Sequence, residues 1–119
     1  MRYCVHYIFK NSKVLLLKRK LSNPFYPGIW TPVVGKIKTD EQPSVAVVRE
    51  TQEETNLKID NPKFVNHCMY DGDEYWFYHS ISLENDITLN HENEQFDFFK
   101  RDNLPPNLWS FFKAELDKI

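Results

Sequence analysis

The sequence contains little cysteine and has no long apolar run. Cys4 and Cys68 are the two cysteines among 119 residues, so at most one disulfide could form, which excludes a disulfide-stapled secreted fold. We expect both to be reduced, buried thiols. No apolar stretch reaches the roughly 20 residues that cross a bilayer, and the N-terminal segment lacks the apolar core of a secretory signal. We therefore expect a cytoplasmic protein without a membrane partner.

Positive charge is not in excess either. The chain has 15 Lys and Arg against 17 Asp and Glu, a formal net charge of −2, so it has no general attraction for nucleic acid or anionic membranes. Any phosphate-bearing partner must be bound locally, by a metal ion or a few cations. The hydrophobic fraction of 41% is typical of a folded domain. We expect residues 1–119 to form one domain, because the chain is too short for two.

Aromatic residues, by contrast, are abundant. Nine Phe, six Tyr and three Trp make up 15% of the chain. Large rings supply buried area to a small core, and this composition favours that interpretation. Some rings could instead line a pocket for a flat ligand. The candidates for stacking on such a ligand are Phe25, Tyr26, Trp30 and Trp76.

The periodicity of apolar residues predicts six strands and two helices. The predicted strands are Arg2–Phe9, Lys13–Leu17, Ile29–Val34, Lys63–Tyr70, Glu74–Ser82 and Gln95–Lys100. One helix is predicted over Gln42–Asn56, with Pro43 at its first position and Asn56 as its left-handed end. The other is the amphipathic C-terminal segment. Two helices in separate places among strands predict a mixed α/β sandwich rather than a repeating βαβ array.

The first helix carries three carboxylates in one arc: Glu50, Glu53 and Glu54. At about 100° per residue, Ala46 falls in the same arc, and the opposite arc contains Val47, Val48, Thr51 and Thr55. Like charges at this spacing repel by a few tenths of a kcal/mol per pair. A solvated acidic face is one interpretation. The other is a site for hard divalent cations, Mg²⁺ or Mn²⁺, which prefer oxygen ligands.

The spacing around this helix resembles the signature of the Nudix hydrolases, G-x5-E-x7-R-E-U-x-E-E-x-G-U, where U is a bulky aliphatic residue. The matching residues are Gly35, Glu41, Arg49, Glu50, Glu53, Glu54 and Leu57. With each charged residue type at roughly 6% of an average chain, five charged matches by chance are on the order of one in a million per starting point. The resemblance is sharp over residues 35–57 and extends less specifically over nearly the whole chain.

Two positions depart from this signature. Thr51 stands where an aliphatic residue is usual, and its hydroxyl needs a hydrogen-bond partner if it is buried. Asn56 replaces the second glycine, but asparagine tolerates the left-handed conformation that ends a helix. Neither residue is an expected metal ligand.

The resemblance implies a Nudix-type α/β/α sandwich with a mixed sheet, and a Mg²⁺-dependent enzyme, with Mn²⁺ possible in its place. The implied metal ligands are Glu50, Glu53, Glu54 and the Gly35 carbonyl, with Glu94 or Glu92 adding a further ligand or the base. The resemblance further implies that Arg49 and Glu41 pair and brace the site. Glu53 is the candidate for orienting or deprotonating the attacking water.

Substrate contacts are less specifically indicated. Arg19 and Lys18 are candidates for binding phosphate, but strand alternation places them on opposite faces, so at most some face the site. Trp30 is the candidate for stacking on a base.

We expect a small nucleotide substrate, a nucleoside triphosphate that is cleaved to the monophosphate and pyrophosphate. The nucleoside could be an oxidised one. Dinucleoside polyphosphates, ADP-ribose and capped RNA ends remain alternatives, as does a catalytically silent module that binds a nucleotide or a partner protein. The sequence leaves open whether the protein is a monomer or a homodimer.

Overall fold

The computed structural model describes residues 1–24, 26–84 and 86–119. The described elements are β1 (Arg2–Lys10), β2 (Lys13–Arg19), β3 (Trp30–Thr31), β4 (Val33–Lys36), α1 (Pro43–Thr55), β5 (Lys63–Tyr70), β6 (Asp73–Ile81), β7 (Asn93–Phe99) and α2 (Ser110–Leu116). Neither helix in this part of the chain combines the length and apolar character needed to cross a membrane.

The described strands form one mixed sheet centred on β1. The strand order is β3-β2-β1-β6-β5, with β4 also paired to β1 and β7 also paired to β2. β1 runs parallel to β6 and antiparallel to β2 and β4. The mixed sheet predicted from the sequence is therefore present.

The two helices cover opposite faces of this sheet. Alternate side chains of β1 point to opposite sides, and each set packs against a different helix. Val5, Tyr7 and Phe9 pack with Phe112 and Leu116 of α2. On the other face, Cys4 packs with Ala46 and Val47 of α1, and Ile8 packs with Leu57 just beyond α1. The layers are thus helix, sheet and helix, which confirms the predicted α/β/α sandwich.

Helix α1 begins and ends as its sequence predicts. Pro43 occupies the start, and Asn56 has φ of 66° and donates its backbone N–H to the Gln52 carbonyl at 2.9 Å. The predicted division into an acidic and a packing arc is only partly right. Ala46 and Glu54, both in the acidic arc, are buried, which disagrees with the interpretation of that arc as a solvated acidic face.

Other expectations need correction. The single strand predicted over Ile29–Val34 is two strands, β3 paired with β2 and β4 paired with β1; Pro32 lies between them and has no N–H for a sheet bond. Cys68 is only half-buried, whereas Cys4 is buried, and both thiols are free. Phe25 lies outside the described residues. Trp76 stacks on His67 at 4.5 Å between ring centroids.

Thr51 finds its partner in a buried histidine. Its hydroxyl donates to the Val47 carbonyl at 2.7 Å and lies 2.7 Å from His6 Nδ1, while His6 Nε2 lies 2.7 Å from Ser80 Oγ. Because the Thr51 proton is used, His6 Nδ1–H donates to Thr51 and Ser80 donates to Nε2. Burial lowers the pKa of His6 to about 3. A neutral imidazole therefore connects α1 to β1 and β6.

This histidine predicts a specific loss of stability in acid. The unfolded chain takes up the His6 proton near pH 6.5, whereas the folded protein takes it up only near pH 3. Stability from His6 is therefore complete above pH 6.5 and falls on acidification by up to about 1.4 kcal/mol per pH unit. Urea unfolding of the wild type and of His6→Gln should be compared between pH 7 and 4. The difference between their free energies of unfolding should shrink on acidification by up to about 1.4 kcal/mol per pH unit.

His91→Gln is the matched control, because His91 is exposed and its loss should leave the wild-type pH profile intact. Parallel profiles for the wild type and His6→Gln would contradict the assignment of His6 as a buried neutral base.

Candidate active site

The site is built where the end of β4 meets the second half of α1. Gly35 lies under the Glu50 side chain so closely that a Cβ at this position would overlap Glu50 Cγ, Cδ and Oε2. The Gly35 carbonyl accepts a weak hydrogen bond from Cys4 Sγ at 3.5 Å. Glycine is required here because it lets the carboxylate of Glu50 rest directly on the strand.

Arg49 joins three of the acidic residues. It donates to both oxygens of Glu41, from Nε at 2.7 Å and from Nη2 at 2.8 Å, in a bidentate pair. Nη1 donates to Glu50 Oε1 at 2.8 Å and to Glu53 Oε2 at 3.1 Å. The guanidinium lowers the pKa of Glu41 to about 2. The predicted pairing of Arg49 with Glu41 is therefore present, and Arg49 also holds Glu50 and Glu53.

The environment of Glu54 is opposite to that of Glu41, because Glu54 is buried and one of its oxygens has no hydrogen-bond partner. Its side chain is 2% exposed, and Oε1 has one long contact, 3.5 Å from Asn93 Nδ2. Oε2 has no hydrogen-bond partner. Burial raises the pKa of Glu54 well above its ordinary value, and the nearby carboxylates of Glu50 and Glu92 raise it further. A charged Glu54 is thus costly until a proton or a cation neutralises it.

Burial also disfavours ionisation of Glu50, but less strongly than it disfavours ionisation of Glu54. Burial raises the pKa of Glu50, and the hydrogen bond from Arg49 opposes that shift. The Glu50 and Glu54 carboxyl groups lie within hydrogen-bond reach of each other. Because both are acceptors when ionised, they can share a proton or a cation but cannot satisfy each other as two carboxylates.

The oxygen atoms gathered here fit a hard divalent cation. Glu50, Glu54 and the Gly35 carbonyl are oxygen donors of the kind that Mg²⁺ and Mn²⁺ prefer, and the unpartnered Glu54 Oε2 has an unused acceptor. Over residues 1–24, 26–84 and 86–119, however, no three acidic, histidine or cysteine side chains form a ready cage for a metal. In this arrangement Arg49 forms ion pairs with Glu53 and with one oxygen of Glu50.

A cleft of about 480 Å³ opens beside these groups. It is lined by Arg19, Gly35, Glu50 and Glu92, and also by aromatic rings that include Tyr3, Tyr26, Tyr75 and Trp109. Tyr26 contacts Trp109 edge-on, with ring centroids 4.5 Å apart. The cleft therefore combines charged groups with aromatic rings that could contact a flat group. A depression of about 740 Å³ on the outer side of α1 reaches Glu53 but is not lined by Glu50 or Gly35.

Only some of the weaker candidates for substrate or metal binding line the cleft. Arg19 lines the cleft, whereas Lys18 lies 3.8 Å from Glu94 in a half-exposed ion pair. Glu92 lines the cleft, so it and not Glu94 lies beside the buried carboxylates. Trp30 packs edge-on against Phe99, with centroids 5.0 Å apart, and the cleft lining described above does not include it.

Several residues of the site were not singled out from the sequence. Tyr3 and Tyr75 lie side by side in the parallel pairing of β1 with β6, with ring centroids 5.3 Å apart. Trp109 precedes α2, and Asn93 begins β7. Their positions in the chain are far apart, and only strand register and helix packing bring them to one cleft. A tyrosine in each of two strands was the available signal, but it could not reveal that the strands are neighbours.

Comparison with known proteins places this geometry in context. The family model for the NUDIX domain matches residues 2–118. The MutT NUDIX hydrolase of Burkholderia pseudomallei superposes with a TM-score of 0.86 at 22% identity, over 99% of this chain and 96% of that chain. The MutT protein of Methanosarcina mazei Go1 superposes with a TM-score of 0.84 at 17% identity, over 99% and 91%. At these identities the two structures show a shared fold.

A curated relative matches a shorter segment. The m7GpppN-mRNA hydrolase NUDT17 of Xenopus laevis is 43% identical over 49 residues, which are 41% of this chain. The matched segment is 17% of that relative, so this chain corresponds to a small part of its length.

The buried Glu54 predicts that removing its charge stabilises the metal-free protein. Because the pKa of Glu54 is raised in the folded state, its contribution to stability is complete at low pH and is lost as pH rises through the folded pKa. Glu54→Gln in EDTA should therefore be more stable than the wild type by about 1–3 kcal/mol at pH 8, with the gain shrinking towards pH 5. Urea unfolding measures both.

Glu115→Gln is the matched control. Glu115 is also buried, but it accepts hydrogen bonds from Asn66 at 3.0 Å and Lys118 at 2.8 Å. Its neutralisation should destabilise the protein. A destabilising Glu54→Gln at pH 8 would contradict the account of Glu54 as a buried carboxyl whose Oε2 lacks a hydrogen-bond partner.

Proposed function

Because the chain belongs to the NUDIX family of pyrophosphohydrolases, we propose that residues 1–119 form one catalytic domain that hydrolyses a nucleoside triphosphate to the monophosphate and pyrophosphate. The observation that carries the proposal is the buried Glu54, whose Oε2 lacks a hydrogen-bond partner and whose neighbour Glu50 lies over Gly35. An ionised carboxylate in this position is stabilised by a cation. Mg²⁺, or Mn²⁺ in its place, fits the oxygen donors available.

Glu50, Glu54 and the Gly35 carbonyl would hold the metal, and Glu53 would join them. When bound, a divalent ion polarises a phosphoryl group and lowers the pKa of a coordinated water. Glu53 is half exposed, at 51% of its side chain, so its carboxylate can reach substrate and water. We assign it the task of orienting or deprotonating the attacking water. The Arg49–Glu41 pair braces the helix and fixes where Glu50 and Glu53 lie.

The sequence offered both Glu92 and Glu94 as the additional metal ligand or base, and we assign this role to Glu92. Its place in the cleft and its electrostatic effect on Glu54 support it as the additional ligand or base. Glu94 is paired with Lys18 at 3.8 Å, which supports a surface role for both residues.

The cleft supports a nucleotide-sized substrate. Its volume of about 480 Å³ lies within the range of roughly 300–1,000 Å³ for small-molecule sites. Arg19 lines the cleft and its charge acts on Glu54, so it can contact phosphate oxygens near the carboxylates. We propose that Tyr26 and Trp109, rather than Trp30, stack on the base. The free thiols are consistent with a cytoplasmic enzyme.

A capped RNA end is the second candidate substrate. It is favoured by the 43% identity of 49 residues to an m7GpppN-mRNA hydrolase. The formal charge of −2 disfavours binding of a long RNA. Hydrolysis of dinucleoside polyphosphates or ADP-ribose would use the same carboxylates, and a silent binding module would have no need of them.

The first test of this function removes single carboxylates. Glu53→Gln and Glu54→Gln should each lower kcat for nucleoside triphosphate hydrolysis in Mg²⁺ by about 10²- to 10⁴-fold, as expected for loss of a group that acts on the reacting water or holds the metal. Pyrophosphate release from a panel of nucleotides measures the rate, and the products identify the bond that is cleaved.

Glu84→Gln is the control, because Glu84 is exposed and outside the cleft lining. Full activity in both site variants would refute the assignment, and nucleotide binding without turnover by the wild type would favour the silent module.

The second test concerns the base. Tyr26→Ala removes an exposed ring of the cleft and should raise KM about 2- to 12-fold with little change in kcat, since an aromatic pair contributes about 0.5–1.5 kcal/mol. Phe64→Ala, which removes an exposed ring from β5, should leave KM unchanged. An unchanged KM in Tyr26→Ala would show that the base lies elsewhere.

A further inference from the structure

Asn93 is the first residue of β7, and its side chain is buried against Glu54. It is 3% exposed, and Nδ2 lies 3.5 Å from Glu54 Oε1. Asn93 pairs with Arg19, but Lys18 pairs with Gln95, so the register shifts by one residue between them. Such a bulge re-aims a side chain relative to its strand. Asn93 is therefore buried at the site, whereas Glu94 and Gln95 after it are exposed.

Two oxygen atoms at this contact have no partner: Glu54 Oε2 and Asn93 Oδ1. Buried polar atoms in native proteins nearly always have one. If Asn93 served only to hold Glu54, its own Oδ1 would remain unsatisfied. When Glu54 is ionised, both unpartnered atoms are acceptors, so the group that satisfies them must be a cation or a hydrogen-bond donor such as water.

The orientation of the Asn93 amide follows from its neighbour. An ionised Glu54 can only accept hydrogen bonds, so the amide presents its N–H₂ group to it and leaves Oδ1 for another partner. An amide oxygen is a good ligand for hard divalent cations. It also adds an oxygen without adding negative charge beside Glu50, Glu54 and Glu92.

We propose that Asn93 belongs to the cation site: Nδ2 positions the Glu54 carboxylate, and Oδ1 supplies a further oxygen to the ion or to its bound water. This rests on the proposed function, because it assumes that Glu54 binds a divalent ion. Asn93 is thus a positioning residue with one ligand atom, and lies outside the segment 35–57 that carries the signature.

The test measures metal binding without substrate. Mn²⁺ alone is titrated into metal-free protein and followed by calorimetry and by the electron paramagnetic resonance signal of free Mn²⁺. Asn93→Leu should raise the Kd for Mn²⁺ by about 10- to 100-fold. Gln95→Leu is a substitution at an exposed position of the same strand. It should leave Kd within about twofold of the wild type, a change much smaller than that expected for Asn93→Leu.

Asn93→Asp separates the two atoms. It keeps an oxygen at the position of Oδ1 but loses the Nδ2 donor, so it should bind Mn²⁺ more tightly than Asn93→Leu. A Kd for Asn93→Asp as weak as that of Asn93→Leu would overturn the role of Oδ1. A wild-type Kd for Asn93→Leu would overturn the whole proposal.

Circular dichroism and urea unfolding verify that each variant is folded before titration. If Asn93→Leu does not fold, Asn93→Ala removes the same atoms without adding bulk and gives the same test. Absence of Mn²⁺ binding by the wild type at millimolar concentration would overturn both this inference and the metal-dependent function. Wild-type binding with unaltered binding by the Asn93 variants would overturn the inference alone.

Discussion

The crowding of carboxylates on α1 is the constraint on which the rest of the site depends. Glu50 and Glu54 lie within reach of each other, and Glu54 is withdrawn from water without a hydrogen-bond partner for Oε2. The fold maintains this costly arrangement because α1 is fixed on the sheet by Ala46, Val47 and Thr51. Stability given up at Glu54 would be the physical basis of the proposed affinity for cations.

Arg49 determines how this acidic cluster is arranged. Its guanidinium satisfies Glu41 with two hydrogen bonds and reaches Glu50 and Glu53 with a third nitrogen. One side of the cluster is therefore compensated and rigid, while the Glu54 side is not. A bidentate pair is suited to this role because the planar guanidinium fixes direction as well as charge.

The site also depends on elements far from α1 in the chain. β4 contributes Gly35, whose missing side chain admits Glu50, and β7 contributes Asn93 through a bulge in its pairing with β2. β1, β6 and the segment before α2 contribute the rings of the cleft. His6 connects the sheet to Thr51 on the inner face of α1, so the residue that departs from the family signature is accommodated by a partner in the core.

From local periodicity and capping, the sequence by itself determined the mixed α/β sandwich and α1 with both its ends. The Arg49–Glu41 pair was implied by the resemblance of residues 35–57 to the Nudix signature. The sequence could not determine that Glu54 is buried, that Glu92 and not Glu94 lies at the cleft, or that Trp30 packs against Phe99. Those outcomes depend on strand register, on the bulge in β7 and on packing between distant segments. Only the tertiary structure decides them, since a one-residue shift in register sends a side chain to the opposite face.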